Sequence, residues 1–225
     1  MLSTYQTGMI MPFILRSFLI VLLLSLSACS SIYYSGLESM GIPKRELMIH
    51  RVEKARDTQE DTKEQFKSAL EQFTEVTNFK GGDLEAVYNR LNNKYEDSVD
   101  QAELVRKRID DIKDVSEALF EEWEEEITQY SSAALKRSSQ SQLTSTKRQY
   151  KQLILAMERA ESKLEPVLAV FKDQVLYLKH NLNARAISSL KNELSGIKSD
   201  VSTLINAMEK SIDEANTFIN SMENK

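Results

Sequence analysis

Glycine and proline are scarce, with six Gly and three Pro in 225 residues. An average chain carries about 12% of the two together. Strand-rich sandwiches and barrels turn about every 8–12 residues, so the shortage argues against them. A single Cys excludes an internal disulfide framework. With only two His beside it, too few soft ligands remain for a structural zinc site. No acidic or basic excess is extreme, the net charge being −5. That balance disfavours nucleic-acid binding, which normally shows a basic patch. What is present is 28% charged and 41% hydrophobic residues. The chain is too apolar for a wholly disordered protein and too charged for a multi-span membrane protein.

The most apolar stretch is short. Phe18–Leu26 reads FLIVLLLSL, against the roughly 20 residues a spanning helix needs. Arg16 precedes it, and Leu26-Ser27-Ala28-Cys29 follows. A basic residue, a short apolar core and a small-residue cleavage site make a secretory signal over residues 1–28. Leu26-Ser27-Ala28-Cys29 also resembles the lipobox of bacterial lipoproteins. The resemblance implies lipidation of Cys29, cleavage before it, and acylation of the freed amine. Several acyl chains give stable anchoring where one gives only marginal binding. Ser30, rather than Asp, follows the cysteine. By the same resemblance this favours the outer membrane over the inner one. Cleavage removes Arg16 and no acid, taking the net charge of −5 to −6. The lipid, not charge attraction, is then the expected anchor.

Residues 29–42 read as a lipidated tether. Tyr33 and Tyr34 in it suit either the headgroup level or packing on the first helix. Residues 43–225 read as one all-α unit, an elongated antiparallel bundle of about four long helices. Met48, Val52, Ala55, Gln59, Thr62, Phe66, Ala69, Phe73 and Val76 recur at alternating steps of four and three, one face of a helix. This helix is expected over about 43–79, opened by Pro43 and closed by Gly81-Gly82. Asp83 caps the next, expected over about 84–137. Ser138-Ser139-Gln140-Ser141 is the expected turn, with Asn92-Asn93 a weaker spot inside the second helix. The third helix, about 142–181, contains Pro166, where a kink is expected, in preference to the alternative of a break with a fresh start, because the stripe continues across it in register. Asn183 caps the fourth, about 184–222, whose stripe runs from Ile187 to Met222. The 3.5-residue repeat implies left-handed supercoiling, and short connections make successive helices antiparallel neighbours.

Two stretches carry a wider resemblance. One is Gly41-Ile42-Pro43-Lys44-Arg45-Glu46, leading into Arg51-Val52 and Glu64-Gln65-Phe66. The other runs from Phe171-Lys172-Asp173-Gln174-Val175 through His180-Asn181-Leu182-Asn183-Ala184. With the lipobox, they resemble an uncharacterised family of Gram-negative coiled-coil lipoproteins, known by a domain-of-unknown-function label. The resemblance spans nearly all of the mature chain and implies a coiled-coil envelope protein, with no activity or catalytic residue attached.

Few residues suggest chemistry. Glu121-Glu122-Trp123-Glu124-Glu125-Glu126 is the densest acidic run. Successive helical positions lie about 100° apart, which spreads these acids around the helix, so a solvated face is expected and no metal site. His50 and His180 belong to no nucleophile or metalloprotease motif, and no catalytic residue is assigned. Asp173, Gln174, Lys179, His180, Asn181 and Asn183 form a polar cluster at the expected third turn. They read either as caps and inter-helix hydrogen bonds or as a partner-recognition tip. The expectation is therefore a periplasm-facing, lipid-anchored structural or interaction module without cofactor. It would bind an envelope protein or itself, and no nucleic acid. The alternative is a module holding a glycan or lipid between splayed helices, marked by an apolar gap near Pro166. An enzyme is not expected.

Overall fold

The computed structural model describes Tyr34 and residues 41–181 and 183–224. Among these, every regular element is an α-helix. They are α1 (Lys44–Thr77), α2 (Leu84–Gln129), α3 (Ala133–Glu161), α4 (Leu164–His180) and α5 (Ala184–Glu223). The signal segment, the lipobox with Cys29, Tyr33 and Leu182 lie outside the described residues.

The helices form an all-α antiparallel bundle of four rods, with α3 and α4 in succession making the third. Cross-links give the directions. At one end Lys44 meets Glu122, and at the other Arg90 meets Glu75, so α1 and α2 are antiparallel. Lys147–Glu124 and Arg106–Glu161 set α3 against α2 in the same way. Arg56 donates to Asn216 and Lys63 faces Glu209, which sets α5 antiparallel to α1. The 46 residues of α2 give the bundle a length of roughly 69 Å.

The α1 stripe expected from spacing is buried throughout, from Met48 to Val76. Inside the bundle Phe171 of α4 stacks on both Phe66 and Phe73 of α1, with centroids 6.1 Å away in each case. These rings join the two diagonally opposed rods. The first loop turns on Gly81 and Gly82 at positive φ, where side-chain-free residues are favoured. Asp83 then caps α2 by accepting from the Ala86 amide at 3.0 Å.

Two boundaries differ from expectation. The turn after α2 falls at Tyr130-Ser131-Ser132, not at Ser138–Ser141, so α2 ends at Gln129 and α3 already runs through residues 138–141. Ser132 is the N-cap, accepting from the Leu135 amide. Ser139 is buried and accepts from the Trp123 indole at 2.8 Å, so it serves packing instead of a turn. The second correction concerns Pro166. The rod does not kink there; it breaks at Ser162-Lys163, and α4 restarts at Leu164. Pro166 then sits in a first turn, where backbone N–H groups have no intrahelical partner to lose. Arg106 spans the break from α2, donating to Glu161 at 2.8 Å and Glu165 at 3.0 Å. The Asn92-Asn93 site does not interrupt α2; the Asn92 amide donates to Glu96 one turn on.

Candidate functional site

The polar cluster lies at the end of the bundle formed by the α4–α5 connection. Asp173, Lys179, His180 and Asn183 are exposed, and Gln174 and Asn181 are half-buried. Two of the six are engaged in closing helices. Asn181 donates its side-chain amide to the Tyr177 carbonyl at 3.0 Å. Asn183 accepts from the Arg185 and Ala186 amides at 3.0 and 3.1 Å. His180 is the last residue of α4, where the helix dipole favours a cation. Leu176 and Tyr177 add exposed apolar surface beside it. The cluster therefore combines a capping pair with an exposed rim of Asp173, Lys179 and His180.

The two roles separate by substitution. Asn183→Ala is expected to lower stability by about 1 kcal/mol, the usual value of an N-cap. His180→Ala at the exposed rim is expected to stay within about 0.5 kcal/mol. Urea unfolding of both variants checks this.

The acidic run is divided among different partners. Glu122 pairs with Lys44 at 3.0 Å and Glu124 with Lys147. Glu121, Glu125 and Glu126 are exposed. Among the described residues no group of three or more His, Cys, Asp or Glu converges in a way that could hold a metal ion. Trp123 is half-buried against the core. A cleft of about 470 Å³ opens beside it, lined by Pro43, Lys44, Arg45, Leu119, Glu122 and Glu126 among others. A second cleft, of about 610 Å³, lies at the opposite end around Phe79, Gly81, Asp83 and Arg90. Neither cleft is at the α3–α4 break. There the seam is closed by Ala160, Leu164, Val167 and Leu168, all buried.

Titration shifts follow the ion pairs. A hydrogen bond to Glu158 raises Lys113 above the usual lysine range, and hydrogen bonding to Glu161 raises Arg106. Burial pushes the Tyr150 hydroxyl up. These groups tie α2 to α3 across the surface, and ion-pair networks shift pKa values without catalysis.

Spacing alone did not find Tyr34's place. Tyr34 is buried, and its hydroxyl accepts from Arg51 at 3.1 Å, with the guanidinium 5.6 Å from the ring centre. Arg51 also donates to the Asp111 carbonyl of α2. Of the two readings of this tyrosine, packing on the first helix is the one realised. A tyrosine in a short tether rich in Ser and Gly carries no sequence signal that would choose between them.

Among the described residues no helix is long and apolar enough to cross a membrane. No curated protein and no solved structure matches the chain. One family model does match, over residues 33–222, nearly the whole bundle with its Tyr34 clasp. On that extent of match, the chain belongs to the family described as Protein of unknown function (DUF2959).

Proposed function

We propose that the protein is a lipid-anchored envelope module, acting through structure and protein interaction and not through chemistry. Cys29 carries the lipid, the outer membrane holds it, and the bundle faces the periplasm. The observation that carries this reading is the lipobox-like Leu26-Ser27-Ala28-Cys29 placed five residues before a clasped tyrosine. The Tyr34–Arg51–Asp111 contact couples that cysteine closely to a stiff rod. Long polar helix faces and an exposed rim at the α4–α5 end then offer surface to a partner.

The alternative, a ligand held between splayed helices, called for an apolar gap near Pro166. The closed seam of Leu164, Val167 and Leu168 speaks for the interaction reading over that one.

Crosslinking in living cells at native expression tests the proposal, comparing wild type with Cys29→Ser. The expected result is one specific envelope protein attached to wild type and lost from Cys29→Ser, with that variant moving from the membrane to the soluble fraction. Crosslinks only to itself, or none, would overturn the adaptor reading. Retention of Cys29→Ser in the membrane would overturn the anchor.

A further inference from the structure

Six large hydrophobic residues are exposed among the described residues, and three of them lie at one end of the bundle. They are Ile42 before α1, Tyr130 in the α2–α3 turn and Leu135 in the first turn of α3; Leu135 is the most exposed of the six, at 58%. Lys136 and Arg137 follow Leu135, both exposed, and neither forms an ion pair within the described residues. The first turn of α3 contains no acid. Cations near a helix N-terminus oppose the positive end of the dipole. Within the bundle these two are unfavourable, whereas against an external phosphate they and the free amides of α3 act in concert. An amphipathic tyrosine, a leucine and two long cationic side chains make the residue set that settles at a membrane–water boundary.

The tether decides whether this end can meet a bilayer, and here the argument rests on the anchor reading of Cys29. Tyr34 is held at the level of Asp111 through Arg51. From Asp111 to the end of α2 at Gln129 is 18 residues, or about 27 Å of helix. From Tyr34 back to Cys29 is five residues, which span at most about 17 Å at full extension. The Tyr34 side chain and its hydrogen bond to Arg51, laid along the axis, can make up that difference but little more. The acylated cysteine therefore reaches at most to about the level of the α2–α3 turn, and a bilayer that takes up the acyl chains at this end of the rod lies against the turn.

We propose that the α2–α3 turn is a lipid-contacting surface. In it, Tyr130 and Leu135 enter the headgroup layer, and Lys136 and Arg137 lie against lipid phosphates. The exposed acids Glu121, Glu125 and Glu126 stand one to two turns back along α2. They limit attraction to strongly anionic membranes, so apolar insertion carries the contact.

The test uses the full lipidated chain in vesicles of phosphatidylethanolamine and phosphatidylglycerol. An environment-sensitive dye is placed on Ser131→Cys in the turn and, as control, on Lys80→Cys at the opposite end. Headgroup-level spin-labelled lipid is expected to quench the Ser131 dye at least threefold more than the Lys80 dye. Adding Leu135→Glu with Tyr130→Glu is expected to abolish most of that difference. Equal quenching at the two positions in lipidated protein would overturn this proposal and leave the anchor standing. Thiol reactivity of the wild type reads the anchor separately. A free Cys29 thiol there would overturn the anchor reading, and the lipid-contact proposal with it.

Discussion

Phe171→Ala is expected to destabilise the bundle by about 3–5 kcal/mol, the usual range for truncating a buried aromatic. Phe171 is 2% exposed and stacks between Phe66 and Phe73, with interplanar angles of 22° and 14°. The loss has two parts. The first is the apolar area removed from α4, and the second is the pair of ring contacts, each worth about 0.5–1.5 kcal/mol beyond area. Collapse cannot readily refill the gap. Phe66 and Phe73 sit two turns apart on α1, on a rod with α2 on one side and α5 on the other. A single rigid helix cannot close on a hole facing both rings. For a chain of this size the midpoint should fall by of order 10 °C. Leu176→Ala, five residues along the same helix and 46% exposed, should shift it by less than about 0.5 kcal/mol. Thermal unfolding of the two variants side by side measures the contrast. Equal shifts would mean that α4 is not seated by its aromatic.

The same residues show how far the sequence could be read. On α1 every stripe position from Met48 to Val76 is buried, because no Gly or Pro interrupts the helix and tertiary packing agrees with local period. On α2 the sequence supports one heptad register from Leu84 through Leu119 and Trp123 to Ala133, and the structure follows it to Leu119, with Trp123 half-buried. There the buried face takes in Ser116, Leu119 and Phe120, and next Ile127, while Glu126, Tyr130 and Ala133 are exposed. A straight helix of 3.6 residues per turn drifts from a strict heptad by about 20° per repeat. Over six repeats the drift moved the seam by one residue, and a heptad extended through Ala133 therefore hid the turn. The pairs Ser131-Ser132 and Ser138-Ser139 are locally equivalent as turn formers. What distinguishes them is the Trp123 indole, which takes Ser139, and that contact is tertiary. The capping roles of Asp83 and Asn183 were legible, since each needs only its own next turn. The lipid-facing character of the α2–α3 turn was not, because it depends on where that turn falls and on the level at which Arg51 holds Tyr34.

Gln59→Leu is expected to stabilise the protein, by about 1–3 kcal/mol. Gln59 lies on the α1 stripe and is 1% exposed, yet neither atom of its side-chain amide has a hydrogen-bond partner among the described residues. Ser211 on α5 is in the same condition. The contacts Arg56–Asn216 and Lys63–Glu209 bracket both residues, so the two belong to one stretch of the α1–α5 seam. Burying an amide without a partner costs about 1–3 kcal/mol on the protein mutational scale. Leucine removes that cost with little change of shape. Ser211→Ala should add a smaller gain, and the pair should be non-additive because they share a seam. Urea midpoints for the two single variants and the double give all three values. A fall with Gln59→Leu would show that in solution the amide is satisfied, by a bound water for instance. A rise would show that the amide is without a partner in solution, as it is in the structure. Thr58 and Thr62 satisfy themselves on carbonyls of their own helix. The Ser211 hydroxyl can reach the same kind of acceptor by rotating, as Ser98 does on Lys94, whereas the Gln59 amide has no such local route, so the larger gain belongs to Gln59→Leu.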